Sequence, residues 1–196
     1  MKEYLTKIVP SEIQLTAQML EQMEDHWTLL LEWNERMNLT AITTDREAAS
    51  LHYRDSLAAM EHGLEGPVVD MGSGGGFPGI PLAIAMPSTS FTLVEPRRKR
   101  VSFLRTAVNR LGLKNVKISH SRAEHGTAEL FQSLVTRATF SDAKALASLS
   151  PWIASGGTLY FYRSASYETV PGSRRVHYEL SNETRALDLL SASEIH

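Results

Sequence analysis

The stretch Val68-Val69-Asp70-Met71-Gly72-Ser73-Gly74-Gly75-Gly76-Phe77-Pro78-Gly79 limits what this chain can fold into more than any other. Two β-branched residues and an acid lead into a glycine-rich turn, and a helix follows, the order of a Rossmann-like unit. The glycines at 72, 74 and 76 carry no Cβ, so a ligand can approach the backbone closely. The helix opened by the turn offers N–H groups that suit a carboxylate or phosphate. Gly74, Gly76 and Gly79 also spell G-x-G-x-x-G, the dinucleotide fingerprint, although Pro78 breaks up the helix turn that the third glycine should serve. Asp70 separates the possible ligands. A dinucleotide fold normally approaches its loop along an apolar strand, whereas S-adenosylmethionine carries an ammonium group that calls for a negative neighbour. The residues therefore favour S-adenosylmethionine over a nicotinamide dinucleotide, with a plain connecting turn as the remaining alternative.

From Val68 onward strands and helices alternate. Strands are predicted at 68–71, 90–94, 115–119, 132–136 and 157–162, and helices at 78–85, 97–111 and 141–149. That alternation implies an α/β class fold with a mostly parallel sheet and crossovers on both faces. Segments 174–180 and 184–190 read as two antiparallel strands at the end. Upstream, Ser11-Glu12-Ile13-Gln14 is a capping box after Pro10 and predicts a helix start there. Leu20, Met23, Trp27, Leu30 and Leu31 then form its apolar stripe, a core face by spacing. A second box, Thr44-Asp45-Arg46-Glu47, opens a helix to about Met60, and Glu65-Gly66-Pro67 marks a boundary. The predicted organisation is an N-terminal helical extension, 1–64, joined to a compact α/β core, 65–196.

In an open α/β sheet, ligands bind beyond the carboxyl ends of strands where strand order reverses. The first predicted strand ends at Asp70 and the glycines, the second at Glu95, the third near Ser121-Arg122-Ala123-Glu124, and the fourth at Arg137. Glu95 follows Gly76 at nucleotide-fingerprint spacing and can accept both ribose hydroxyls of an adenosine, or else serve as an acid at a helix start. Ala123 and Glu124 either border an adenine or cap a helix. Phe77 either shields the ligand or anchors its helix to the sheet. Arg137 either faces the cleft or pairs with a nearby acid. His52, Arg54 and Asp55 share one predicted helix, and His52 has no partner at metal-ligand spacing.

Charge is distributed unevenly although the net value is −2. Residues 1–65 hold 5 Lys/Arg and 12 Asp/Glu, while residues 95–122 hold 9 Lys/Arg against the single acid Glu95. Arg97, Arg98, Lys99 and Arg100 stand together where a helix should begin, and four cations there oppose the macrodipole. The pattern reads either as a solvated helix face or as a basic face for a polyanion whose phosphates supply the compensation. The chain has no cysteine, which excludes disulfides, thiolate metal sites and cysteine nucleophiles, and fits a cytoplasmic protein. Neither a secretory segment nor a membrane-length apolar run is visible, so no membrane partner is expected.

Taken together these residues resemble the RsmG (GidB) family of small-subunit (16S) ribosomal RNA guanine-N7 methyltransferases. The likeness covers most of the chain. Its most specific parts are W-N-E-R-M-N-L-T-A-I at 33–42, H-Y-R-D-S-L at 52–57 and D-M-G-S-G-G-G-F-P-G-I-P-L-A-I at 70–84. K-R-V-S-F-L-R at 99–105, S-R-A-E at 121–124 and T-R-A at 136–138 follow in the family's order. The resemblance implies a class I S-adenosylmethionine-dependent methyltransferase fold with an N-terminal helical extension. It implies that Gly72, Phe77, Ala123, Glu124 and Arg137 contact S-adenosylmethionine, with Asp70 and Glu95 as the acids for its methionine part and ribose. His52, Arg54 and Lys99 become candidates for holding RNA. The chain departs from the family pattern at Gln132, at Tyr162-Arg163-Ser164 where Lys-Gly is usual, and in a tail without the usual lysine. Attack by guanine N7 on a sulfonium methyl needs no general base, so no catalytic residue is expected beyond those that position the reactants. An RNA-binding paralogue without activity and a nicotinamide-dependent oxidoreductase are the alternatives.

Overall fold

The computed structural model describes residues 1–137, 146–181 and 183–195. Its centre is a seven-stranded sheet in the order β3-β2-β1-β4-β5-β7-β6. Strands β1 (Val68–Met71), β2 (Phe91–Val94), β3 (Val116–Ser119), β4 (Phe131–Arg137) and β5 (Ile153–Ser164) run parallel. β6 (Arg174–Glu179) and β7 (Thr184–Ser191) are antiparallel, with β7 slotted between β5 and β6. β1 is buried along its whole length because β2 and β4 pair with both its edges. That central place explains its apolar composition and isolates Asp70 as the exception. Chain order reverses between β1 and β4, so the ligand crevice expected of an open sheet opens at their carboxyl ends.

The expected strands and the helices at 78–85 and 97–111 lie within a few residues of observed ones. The helices observed are α4 (Gly79–Ala85) and α5 (Arg98–Arg110). The first five residues of the helix expected at 141–149 fall outside the described residues, as does Ala138 of the 136–138 motif.

The N-terminal region departs from expectation at its start. Ser11 caps nothing: its hydroxyl lies 3.4 Å from Glu12 Oε2, and Ile13 N–H closes a turn onto Pro10 O. The long helix α2 (Ala17–Met37) is capped instead by Thr16, whose hydroxyl accepts from Met19 N–H, and a short helix α1 (Lys2–Ile8) precedes it. Thr44 does cap the next helix, α3, spanning 45–62. α3 is irregular, passing through a π-helical stretch at Ala48–Arg54 and ending as a 3₁₀ helix at Ala58–His62. Leu5, Trp27, Leu30, Tyr53 and Leu57 from these helices share one apolar cluster with Val68, Ile80, Phe91 and Phe103. The boundary near residue 65 is therefore one of chain order, and packing runs straight across it.

Candidate cofactor site and nucleic-acid interface

At the switch point the chain folds its own acid onto the start of its own helix. Asp70 is fully buried, and its Oδ2 accepts from Gly79 N–H, the first residue of α4, at 3.0 Å. Ile80 N–H goes to Gly76 O and Phe77 N–H to Ser73 O. The helix-end donors that the sequence offered to a carboxylate or phosphate are thus taken internally, a correction to that expectation. A pyrophosphate arriving there would meet a carboxylate, which removes the physical basis of the dinucleotide alternative. Gly79 is required for this closure. A Cβ at that position would overlap Leu93 and lie 2.6 Å from Asp70 Oδ2.

The other oxygen of Asp70, Oδ1, is buried without a hydrogen-bond partner. Burial pushes the Asp70 carboxyl up to about 7, against the opposing hydrogen bond from Gly79 and the charge of Arg137, while the Ser73 hydroxyl donates to the Asp70 backbone carbonyl at 3.1 Å. Neighbouring Glu95 is also buried, and its oxygens accept from Gly74 N–H at 3.0 Å and Arg97 N–H at 2.8 Å. Each carboxylate oxygen keeps a second lone pair for a further donor. Gly72, Gly74 and Gly76 all have positive φ, and a Cβ on Gly76 would stand 2.5 Å from Ile80 Cδ1. An orphaned buried acid beside a side-chain-free cradle fits a cationic ligand such as S-adenosylmethionine. Further along the rim, Ala123 is buried, its carbonyl accepting from Trp152 Nε1 at 2.8 Å, and Glu124 is exposed beside it.

Phe77 turns away from solvent into an aromatic nest. Its ring stacks on His52 at 4.3 Å between centroids, meets Tyr53 at 5.3 Å and His26 at 5.1 Å, and lies 5.2 Å from the Arg137 guanidinium carbon. It anchors the glycine loop to the N-terminal helices. His26 escaped the sequence reading because it sits inside an apolar stripe, one residue before Trp27. Its Nε2–H donates to Gly75 O at 3.1 Å and its Nδ1 accepts from the Tyr53 hydroxyl at 2.9 Å, the tautomer that a carbonyl partner imposes. Burial drives its pKa down to about 3. A histidine within a helical apolar stripe is the one signal that could have revealed it.

Arg137, at the end of β4, pairs with Asp55 at 2.8 Å and donates to Leu51 O at 3.0 Å. Asp55 is fully buried and also accepts from the Tyr178 hydroxyl at 2.6 Å, while Arg185 Nε stands 3.4 Å away in an ion pair without a hydrogen bond. This hub ties α3 to β4, β6 and β7, and no local pattern announces it. The departures at 162–163 are occupied structurally as well. Tyr162 donates to Ser56 O at 2.6 Å, and Arg163 lies 3.8 Å from buried Asp188, the bidentate partner of Arg175.

His52 and Arg54, offered above as candidates for holding RNA, are both buried within the fold. His52 is buried against Phe77 with Nε2 2.8 Å from Thr40 Oγ1, and Arg54 is buried in an ion pair with Glu61 at 2.8 Å. Both lie on the π-helical stretch, nearly the whole of which is buried. Arg97, Arg98 and Lys99 are exposed at the start of α5, while Arg100 is half-buried, 3.9 Å from Glu95. Among the described residues no group of three His, Cys, Asp or Glu side chains could hold a metal ion, and no helix is long and apolar enough to cross a membrane.

The strand order, the glycine loop after β1 and the acid after β2 define a class I methyltransferase fold. Solved structures share that fold. They include a SAM dependent methyltransferase from Aquifex aeolicus, with a TM-score of 0.58 and 18% identity over 74% of this chain and 94% of that one. Another is a hypothetical protein from Thermus thermophilus, with a TM-score of 0.57 and 21% identity over 77% and 92%. The family model described as GidB, rRNA small subunit methyltransferase G, matches residues 19–187, and the chain belongs to that family. It is 34% identical to the ribosomal RNA small subunit methyltransferase G of Lactococcus lactis subsp. cremoris strain MG1363, across 98% of this chain and 81% of that protein. It is 35% identical to the protein of the same name from Clostridium beijerinckii, across 91% and 74%.

Proposed function

We propose that this chain transfers a methyl group from S-adenosylmethionine to N7 of a loop guanine in small-subunit ribosomal RNA, in the cytoplasm. Family membership supplies the reaction class and the RNA, and the buried, half-satisfied Asp70 beside the glycine cradle is the observation that carries the site. When bound, S-adenosylmethionine supplies a methyl carbon activated by a sulfonium. Asp70 and Glu95 provide negative charge and hydrogen-bond acceptors for the cationic, hydroxyl-bearing donor. Gly72, Gly74 and Gly76 leave the space, and Ala123 and Glu124 border the adenine. Arg137 is held at the rim by Asp55, and Phe77 fixes the loop from behind. Guanine N7 presents a lone pair and loses no proton on attack, so the work left to the protein is alignment and exclusion of water. Orientation of this kind can supply about 7–11 kcal/mol of the barrier.

Arg97, Arg98, Lys99 and Arg100 would carry the phosphates, since unpaired loops are the usual targets of sequence-specific RNA recognition and basic residues dominate affinity. The test incubates the protein with methyl-labelled donor and small-subunit ribosomal RNA, naked or in assembling particles, followed by nucleoside analysis. Labelled 7-methylguanosine is the expected product. Donor and RNA binding without label in the RNA would make the chain an inactive RNA-binding paralogue.

A further inference from the structure

A groove of about 490 Å³ lies between the carboxyl-terminal end of α2 and the start of α5, lined by Glu32, Trp33, Arg36, Met37 and Lys99. We infer that this groove is an RNA subsite in which the Trp33 indole stacks on an unpaired base next to the target guanine, while Arg36 and Lys99 hold the flanking phosphates. The inference rests on the ribosomal RNA reading above and extends it from Lys99, which that reading already sets on the phosphates, to Trp33 and Arg36, which it leaves without a role.

Three features of the groove point to a single-stranded polyanion. Trp33 is half-buried and lines the groove, and its ring is braced by a T-shaped contact with Phe103 of α5, centroids 5.7 Å apart. Arg36 and Lys99 are exposed, and among the described residues neither has an ion-pair partner. The one acid in the lining, Glu32, lies 3.3 Å from Arg110, which leaves the groove net positive. Basic grooves with an aromatic platform are how proteins hold unpaired nucleotides.

The location agrees. Trp33 lies one helical turn beyond Leu30, whose side chain would stand 3.2 Å from a Cβ on Gly75. Lys99 adjoins Arg100, whose guanidinium would stand 3.6 Å from a Cβ on Gly74. The helices that line the groove are thus the ones that touch the glycine loop, through Leu30 and Arg100.

Fluorescence reads the subsite directly. Trp27 and Trp152 are each only 2% exposed, so a ligand in the groove reports through Trp33. Titration of the full chain with a short single-stranded oligoribonucleotide should quench tryptophan emission, and Trp33→Phe should remove most of that quench. Trp33→Ala should weaken oligoribonucleotide binding about tenfold while S-adenosylhomocysteine affinity holds. If Trp33→Ala fails to fold, the surface pair Arg36→Glu and Lys99→Glu serves instead. It should lower the slope of log affinity against log salt by about 0.7 for each phosphate no longer neutralised. Oligoribonucleotide binding with unquenched emission and an unchanged salt slope overturns the subsite. Failure of the wild-type chain to bind or methylate ribosomal RNA at all overturns the functional reading instead, and the two results are distinct.

Discussion

Two regions of this molecule bury a carboxylate, and they treat it in opposite ways. Beneath α3, Asp55 is surrounded by Arg137, Tyr178 and Arg185, with donors on both oxygens. At the rim, Asp70 has one oxygen on Gly79 N–H and the other with no donor, and its pKa climbs to about 7. The first arrangement holds four segments together. The second leaves an acceptor that a proton or a cationic ligand would satisfy. The contrast separates an acid satisfied within the fold from one that is not, although burial is the same for both.

The comparison breaks first at Asp55. Asp55→Ala strands the guanidiniums of Arg137 and Arg185 in a largely buried setting, and denaturant unfolding should show a loss of about 3 kcal/mol. A loss under about 1 kcal/mol would mean that the hub contributes no more than a surface ion pair. Glu95→Ala removes the charged acceptor proposed above for the ribose. Calorimetry should show S-adenosylhomocysteine binding weakened by about 1.5–3 kcal/mol, roughly ten- to a hundredfold.

Asp70→Asn should separate stability from binding. The folded carboxyl titrates near 7 and the unfolded one near 3.8. Between those values the native state holds the extra proton, so this group's contribution to stability is full below about pH 4 and is lost as pH rises through 7. The variant should therefore be more stable than wild type at pH 8, by about 1–2 kcal/mol, yet bind the donor worse. In wild type, a cationic donor favours the ionised carboxylate, so its affinity should rise with pH up to about 7 and then level off. A flat profile would show that Asp70 stays charged without ligand.

The histidines matter only in acid. His26 and His52 have pKa values lowered to about 3 by burial, so unfolding binds protons that the native state refuses. Their contribution is present above about pH 6.5 and fades as pH falls toward 3, which NMR titration of the imidazoles should show as silence down to pH 5.

The rim was legible in the sequence because its information is local. A β-branched strand, an acid and a glycine turn occupy adjacent positions, and Glu95 and Arg137 end strands whose apolar runs are equally plain. The nest around Phe77 and the hub at Asp55 were not legible. Arg137, Tyr178 and Arg185 reach Asp55 from 82 or more residues away, and no periodicity encodes such a meeting. The false start at Ser11 has a different cause. A capping box is a local preference, and here Thr16 supplies the cap. The burial of His52 and Arg54 was not legible either, because a polar side chain on a helix is read as outward-facing, while nearly the whole π-helical stretch that carries these two is buried.

The contact between His26 and the Gly75 carbonyl has a practical corollary. The curl of the glycine loop is shaped from behind by an imidazole on a helix 49 residues upstream, itself steadied by the Tyr53 hydroxyl. A fragment trimmed to begin at residue 65 would lose that brace together with the greasy underside of α2, so the α/β half should not survive as a smaller, independently working catalyst.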